Sequence, residues 1–138
     1  MQERAQSMPG QESPATAGAV VTFGEDGIMV VDFRRCERLT LSILEAAHAW
    51  HLELCPDRKV PVLMRGDHVS SADYAAQRFG SSPSVCRVFA AMALVVSSFL
   101  ERHLARMFLM YHQPPYPTRV FDDEETARNW LRGFVDPG

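Results

Sequence analysis

The chain has few cysteines, and their arrangement excludes two classes of small protein. Cys36, Cys55 and Cys86 are the only three among 138 residues. They are odd in number, widely spaced, and form no CxxC or CxH pair, which argues against both a disulfide framework and a zinc site. We therefore expect a reducing compartment and free thiols.

The sequence also lacks a long hydrophobic run. Its longest, Phe89 to Val96, is far too short to cross a bilayer. The first eighteen residues have no apolar core of the kind that a signal peptide requires. These absences predict a cytoplasmic protein without an integral membrane segment.

The chain has no long basic stretch. The net charge is -3 and the arginines are scattered, so no basic stripe is available to follow a phosphate backbone. The sequence therefore does not predict a nucleic-acid partner.

Motifs for catalysis and for cofactor binding are missing as well. There is no GxGxxG, no P-loop and no HExxH. Cys55 with His51, and Cys86 with His68, can be named as nucleophile and base, but neither pair has a motif around it. We therefore expect no enzymatic activity and no cofactor.

A metal site is also not expected. His48 and His51 are three residues apart on a predicted helix, a spacing compatible with metal ligation. No acidic third ligand is evident nearby, and an ordinary surface or boundary position is expected for these histidines.

What the sequence does contain is one domain with alternating strands and helices. Residues 1–18 are polar and rich in Gly, Pro, Ser and Gln, and are expected to be flexible, which leaves residues 19–138 as a single domain. Residues 19–23 and 28–33 are β-rich and flank a DG turn, so they predict an antiparallel hairpin.

Strands and helices then alternate to the end of the chain. We expect a helix that begins at Thr40 or Ser42, a strand at 60–64, a helix capped by Ser71 that ends at Gly80, and a strand at 90–96. A helix capped by Ser98 follows, with Leu100, Leu104, Met107 and Tyr111 along one side. This order predicts an α/β fold: about five mostly parallel strands, opened by a hairpin, with about four helices packed on the sheet.

The C-terminal run from Pro114 to Leu131 is the most informative stretch. Its prolines end the preceding helix and favour extended backbone. Thr118, Val120 and Phe121 favour a strand, and Asp122 with Glu125 predicts a capping box that opens the last helix. A strand followed by a helix therefore ends the domain.

This order, with particular residues at its joints, resembles the STAS/SpoIIAA-like fold and its bacterial STAS/SEC14-like branch of small uncharacterised proteins. The resemblance covers about residues 18–134. It is carried by Leu39-Thr40-Leu41, by Val60-Pro61-Val62-Leu63, and above all by Pro114 to Phe121 with Asp123-Glu124-Glu125, Ala127 and Trp130-Leu131. Relatives of this branch are anti-anti-sigma factors switched by phosphorylation or carriers of apolar ligands.

The resemblance to anti-anti-sigma factors points to Ser70 and Ser71 as candidate phospho-acceptors. Those proteins present a serine in an Asp-Ser-Ser-Gly-like turn at a helix N-terminus, whereas here the stretch is Arg65 to Asp73, RGDHVSSAD. No Asp directly precedes the serines, Gly is missing after them, and Asp73 would repel a phosphate. A helix cap is the simpler role for Ser71.

The helix after Ser98 carries more apolar side chains than one buried face needs. Three uses of this excess stay open: core packing, a homodimer interface, and a groove for an apolar ligand. The candidate ligand or partner surface comprises Phe99, His103, Met107, Phe108, Met110 and Tyr116. Two functions follow: a non-enzymatic STAS-like binding or regulatory module that acts through protein contacts, expected to be a homodimer, or a carrier or sensor of a small apolar, lipid-like ligand.

Overall fold

The fold opens with the predicted hairpin. The computed structural model describes residues 18–33 and 36–136, so the expected flexible segment, residues 1–18, lies outside it except for Gly18. Strands β1 (Val20–Phe23) and β2 (Met29–Asp32) pair antiparallel. In the turn between them Gly27 has φ +85°, a conformation that L side chains rarely adopt.

The remaining elements alternate as the sequence predicts, with two additions. In chain order they are β3 (Arg38–Leu39), α1 (Leu41–Leu54), β4 (Val60–Arg65), β5 (Ser71–Ala72), α2 (Tyr74–Phe79), α3 (Pro83–Cys86), β6 (Phe89–Val95), α4 (Phe99–Tyr111), β7 (Thr118–Phe121), α5 (Glu124–Leu131) and a 3-10 turn (Arg132–Phe134). The additions are a two-stranded parallel sheet of β3 and β5 and the 3-10 turn, whereas α3 lies within residues 81–88, where the sequence predicts a loop or a short helical turn.

The main sheet has five strands in the order β1-β2-β4-β6-β7. All its pairs are parallel except the opening hairpin. The predicted fold class, a mostly parallel sheet of about five strands opened by a hairpin with about four helices, is confirmed: α1, α2, α4 and α5 are longer than one turn, and the one-turn α3 and the 3-10 turn are additional.

Side chains that alternate along the strands build one core on each face of the sheet. On one face Val31, Val62 and Met92 belong to a cluster that includes Ala47 and Leu54 of α1. On the other face Leu63, Ala91 and Ala93 pack with Ala127 and Leu131 of α5. Because the middle strands are covered on both sides, they are apolar throughout, as buried parallel strands are.

Two helix caps differ by one or two residues from those predicted. Ser71 does not cap α2, because it lies in β5 and pairs with Arg38; the cap is Asp73, whose carboxylate accepts the Ala76 N–H at 2.9 Å. Likewise the cap of α5 is Asp123 and not Asp122, since Asp123 accepts the Thr126 N–H. The predicted caps Thr40 and Ser98 are confirmed.

Ion pairs tie α5 to the sheet. The Arg65 guanidinium hydrogen-bonds both carboxylate oxygens of Glu124, at 2.7 and 2.8 Å, and also Asp32 at 3.2 Å. Arg128 joins Glu124 to Asp26 in the hairpin turn. The hydrogen bond from Arg65 lowers the pKa of Glu124 to about 2. These contacts fix α5 on its face of the sheet.

Within the described residues, no helix is both long and apolar enough to cross a membrane.

Candidate functional site

Helix α4 covers the sheet without packing closely on it. None of its thirteen residues is buried, and Phe99, Met110 and Tyr111 are 79%, 76% and 82% exposed. The expectation that Leu100, Leu104, Met107 and Tyr111 form its buried side is wrong, because all four are exposed. The physical reason is a space beneath the helix that its side chains do not fill.

That space is a cavity of about 350 Å³ between α4 and the α1 side of the main sheet. Apolar side chains from four parts of the fold form most of its wall. From the sheet they are Val31, Phe33, Met64, Phe89, Met92 and Leu94; from α1, Leu44 and Ala47; from α2, Ala76 and Phe79; and from α4, Leu104, Ala105 and Phe108. The volume lies within the range of small-molecule sites in proteins.

Both ends of α4 are anchored, whereas its middle spans the cavity. At its start Asp67 accepts hydrogen bonds from the N–H and the hydroxyl of Ser97, and Ser98 caps the helix. After its end the chain passes through Pro114, and the Tyr116 hydroxyl donates to the Gly80 carbonyl at 2.6 Å. Burial raises the pKa of Tyr116, so this hydroxyl keeps its proton.

Polar groups are few in the wall, and two of them are histidines of α1. His51 is 1% exposed and its ring stacks on Phe89, with 5.3 Å between centroids. His48 is half-buried, and its Nε2 hydrogen-bonds the Ser84 hydroxyl at 2.8 Å. The surface or boundary position expected for His51 is therefore wrong: one turn of α1 brings it onto the face that carries Ala47 and Leu54.

Hydrogen bonding at these histidines is incomplete. Neither ring nitrogen of His51 has a partner among the described residues, and Nδ1 of His48 also lacks one. Burial lowers the pKa of His51 to about 4, with a further contribution from His48 nearby. His51 is therefore neutral at neutral pH, and so offers one donor and one acceptor.

Among the residues that the structure describes, no lysine or arginine lines the cavity. Its charged or titratable members among the described residues are Glu101, His48, His51, His112 and Tyr116. No group of three His, Cys, Asp or Glu among residues 18–33 and 36–136 is placed to hold a metal ion. The arrangement is suited to holding an apolar molecule with little polar character.

The candidate residues from the sequence divide into two groups. Phe108 and Tyr116 meet in the cavity wall. Phe99, His103, Met107 and Met110 are exposed on α4, and Met110 also borders an open groove beside β7. The two groups therefore do not form the single surface that the sequence predicts.

Ser70 and Ser71 line the edge of the cavity, and Ser71 lies two residues before Asp73, the N-cap of α2. Their N–H groups both donate to the Glu37 carbonyl, at 2.9 and 3.2 Å. Because Asp73 occupies the helix N-terminus, phosphate on either serine would not find that position open. Phosphorylation at these residues stays a prediction.

Sequence reasoning missed the α1 and sheet contributions to the wall. Met64, Met92 and Leu94 read as ordinary core residues, since they alternate along buried strands. His51 carried one usable signal: it falls three residues before Leu54 and four after Ala47, at the spacing of the buried face.

Comparison with known proteins is consistent with this architecture. The family model of a domain of unknown function, DUF7793, matches residues 22–135. The chain belongs to the DUF7793 family. No curated protein matches it.

One solved structure shares the fold of this DUF7793 domain. It is an uncharacterised protein of the DUF3478 family with a SpoIIAA-like fold, from Shewanella loihica PV-4, with 16% sequence identity and a TM-score of 0.58. The match covers 82% of this chain and 91% of that one. The SpoIIAA-like fold expected from the sequence is thereby confirmed.

A second solved structure, a protein of unknown function from Arthrobacter sp. FB24, matches at 29% identity and a TM-score of 0.28. It covers 80% of this chain and 96% of that one.

Proposed function

We propose that the protein binds a small apolar molecule in the cavity beneath α4. The single observation that supports this proposal most is the cavity itself, about 350 Å³ with walls that are almost entirely apolar. This is the second of the two functions that the sequence suggests, a carrier or sensor of an apolar ligand.

The chemistry of the wall gives a physical reason for an apolar ligand. An apolar molecule that leaves water for this space buries its apolar surface, worth about 25 cal/mol per Å², and gains dispersion contacts with the wall. A ligand that binds the folded protein and not the unfolded chain also stabilises the fold.

The volume also limits the ligand. At roughly 30 Å³ for a water-sized group, the cavity holds roughly ten to twelve non-hydrogen atoms. A larger molecule would extend past α4 or displace it. Because α4 buries none of its residues, such a movement gives up little packing.

The test is to fill the cavity from α4. Ala105 lines it, and Ala105→Trp places a large side chain in the space. Ala75→Trp is the matched control, because Ala75 is exposed on α2 and does not line the cavity. By calorimetry with 1-methylnaphthalene, a compact apolar probe, we expect Ala105→Trp to bind about tenfold more weakly or worse. Ala75→Trp should bind like the wild type. Equal affinity of all three proteins would contradict the proposal.

We propose further that the protein acts without catalysis, in the cytoplasm, and without a cofactor. His51 is the most enclosed candidate base, and its pKa of about 4 makes it a poor one near neutral pH. The free thiols of Cys36, Cys55 and Cys86 suit a reducing compartment.

A second candidate function is supported by the outer side of α4. Phe99, Leu100, Met110 and Tyr111 are at least 63% exposed there and form an apolar face. Such a face suits a homodimer or another protein partner, as expected of a STAS-like regulatory module. Self-association and cavity binding use opposite sides of the helix, so the two functions are compatible.

Light scattering tests the homodimer. We expect the wild type to have the mass of a dimer and Phe99→Asp that of a monomer, because a carboxylate is costly in an apolar interface. Tyr74→Asp changes an equally accessible aromatic on α2 and should leave the dimer intact. A wild-type protein that is monomeric at all accessible concentrations would contradict the proposed homodimer.

A further inference from the structure

Gly66 is a glycine that neither the backbone nor the packing of the fold requires. Its φ lies outside the left-handed region, which among the glycines of the described residues only Gly18 and Gly27 occupy. A Cβ at residue 66 would lie 3.3 Å from Cδ1 of Leu94 and 3.5 Å from Cγ1 of Val96, both of them ends of side chains and not backbone. Because glycine weakens a strand and often marks a close approach by a ligand, its place in the cavity wall calls for another explanation.

Residue 66 faces the cavity. Side chains alternate along β4, and those of Val62 and Met64 pack with the core on the α1 side of the sheet. Gly66 follows at the same two-residue interval, and its N–H continues the ladder of β4 and β6 by donating to the Val95 carbonyl at 3.1 Å. A side chain at residue 66 would therefore project to the α1 side, toward Leu94, which also lines the cavity. The missing side chain leaves room in that place.

This room lies near the start of α4. The next residue, Asp67, accepts hydrogen bonds from Ser97, just before the helix, so Gly66 is beside the first turn of α4. After the other end of the helix, the Tyr116 hydroxyl donates to the carbonyl of Gly80. Both glycines line the cavity, which places them near opposite ends of α4.

The residues that α4 contributes to the wall give the length of the cavity. They run from Glu101 to His112, the C-cap, at the spacing of one helical face. At about 1.5 Å of rise per residue, this face is about 16 Å long. A volume of about 350 Å³ over that length is a narrow space. An extended, unbranched chain of roughly ten to twelve carbons is comparable to it in both length and volume.

We propose that Gly66 determines the chain length that the cavity accepts. The ligand is an unbranched aliphatic chain that lies along α4, and its end reaches the backbone of Gly66 because no side chain stands there. A side chain at residue 66 would shorten the space. This inference rests on the proposed function and adds the shape of the ligand and the residue that limits its length.

A series of straight-chain alcohols tests the length limit. Calorimetry measures the affinities of 1-hexanol, 1-octanol, 1-decanol and 1-dodecanol, with 1-methylnaphthalene as a compact reference. The proteins compared are the wild type, Gly66→Val and Gly133→Val. Gly133 is the matched control because it is exposed in the 3-10 turn, is not a residue of the cavity wall, and a Cβ on it meets no atom within 4 Å.

The expected result is a loss that depends on chain length. For the wild type, affinity should rise about fourfold with each added methylene up to about 1-decanol, where the chain fills the space. Gly66→Val takes up room for about three carbons, so 1-decanol and 1-dodecanol should bind about tenfold more weakly or worse. Both 1-hexanol and 1-methylnaphthalene should stay within about twofold of the wild type, since the rest of the cavity is unchanged. Gly133→Val should reproduce the wild-type series.

Gly66→Ala covers the case in which the valine variant does not fold. Within 4 Å its methyl group meets only the side-chain ends of Leu94 and Val96, and 1-decanol should bind about fourfold more weakly, the worth of one methylene. An unchanged length preference in the folded Gly66 variants would overturn the inference. An equal loss for every probe would overturn it too, because it would show a general disturbance of the cavity and not a length limit.

Two results for the wild type separate this inference from the proposed function. If 1-methylnaphthalene binds but affinity does not rise along the alcohol series, the ligand is not a chain and the inference alone fails. If neither 1-methylnaphthalene nor any alcohol binds, the proposed function fails, and the inference with it.

Discussion

His51 shows at the residue scale how position overrides residue type. Histidine is usually found at surfaces or boundaries, and that expectation is wrong here because the helical period of α1 places residue 51 between Ala47 and Leu54 on the buried face. The period was visible in the sequence. The sequence could not show that the ring nitrogens have no hydrogen-bond partner among the described residues, because this depends on which side chains the fold brings around the ring.

Burial of neutral His51 makes stability depend on pH. Its pKa is about 4 in the fold against 6.5 when exposed, so the unfolded chain binds more protons between these values. Stability is therefore full above about pH 6.5 and falls as pH drops toward 4, by at most about 3 kcal/mol. His48 also lowers the pKa of His51, and burial together with Arg87 lowers the pKa of His48 itself, so His48 changes stability in the same direction.

Chemical denaturation at several pH values measures this effect. His51→Phe should flatten the decline between pH 6.5 and 4, and exposed His68→Gln should leave it as in the wild type. A variant His51→Phe with the full wild-type decline would show that other groups cause it.

At the scale of elements, the presence of each helix and main strand was easier to predict than the residues at which it begins and ends. The helices and main strands follow from apolar spacing and proline positions, but β3 and β5 have two residues each, too few to show a pattern. Their pairing also changes which residue caps α2. Because Ser71 lies in β5, the N-cap of α2 is Asp73.

Substitution of the two candidate caps of α2 checks this correction. Asp73→Ala removes the acceptor of the Ala76 N–H and should lower the free energy of unfolding by about 1 kcal/mol. Ser71→Ala removes an exposed hydroxyl and should have much less effect. Urea denaturation measures both, and a larger loss from Ser71→Ala would contradict the assigned cap.

Helix α4 is the element whose surroundings could not be predicted. The sequence showed an excess of apolar side chains but not which side faces the sheet, because a helix that is apolar on most of its circumference has no single inward stripe. Its position over a cavity depends on the anchors at Ser97 and Tyr116, which join residues far apart in the chain.

On the scale of the whole molecule, α1 and α5 bury side chains against the two faces of the sheet, whereas α4 buries none of its residues. One face is closed by α5 and its ion pairs with Arg65. The other is closed by α1 and, over the cavity, by α4. The fold class and family resemblance were predictable from element order, whereas the cavity arises only from the distance between α4 and the sheet.

The central claim is that this cavity takes an apolar molecule, and a crystal structure of the protein with 1-methylnaphthalene tests it most directly. We predict electron density for the probe between α4 and the sheet, in contact with Phe108, Met92 and Phe89. A crystal in which α4 packs directly on the sheet and the probe is absent from this space would contradict the account.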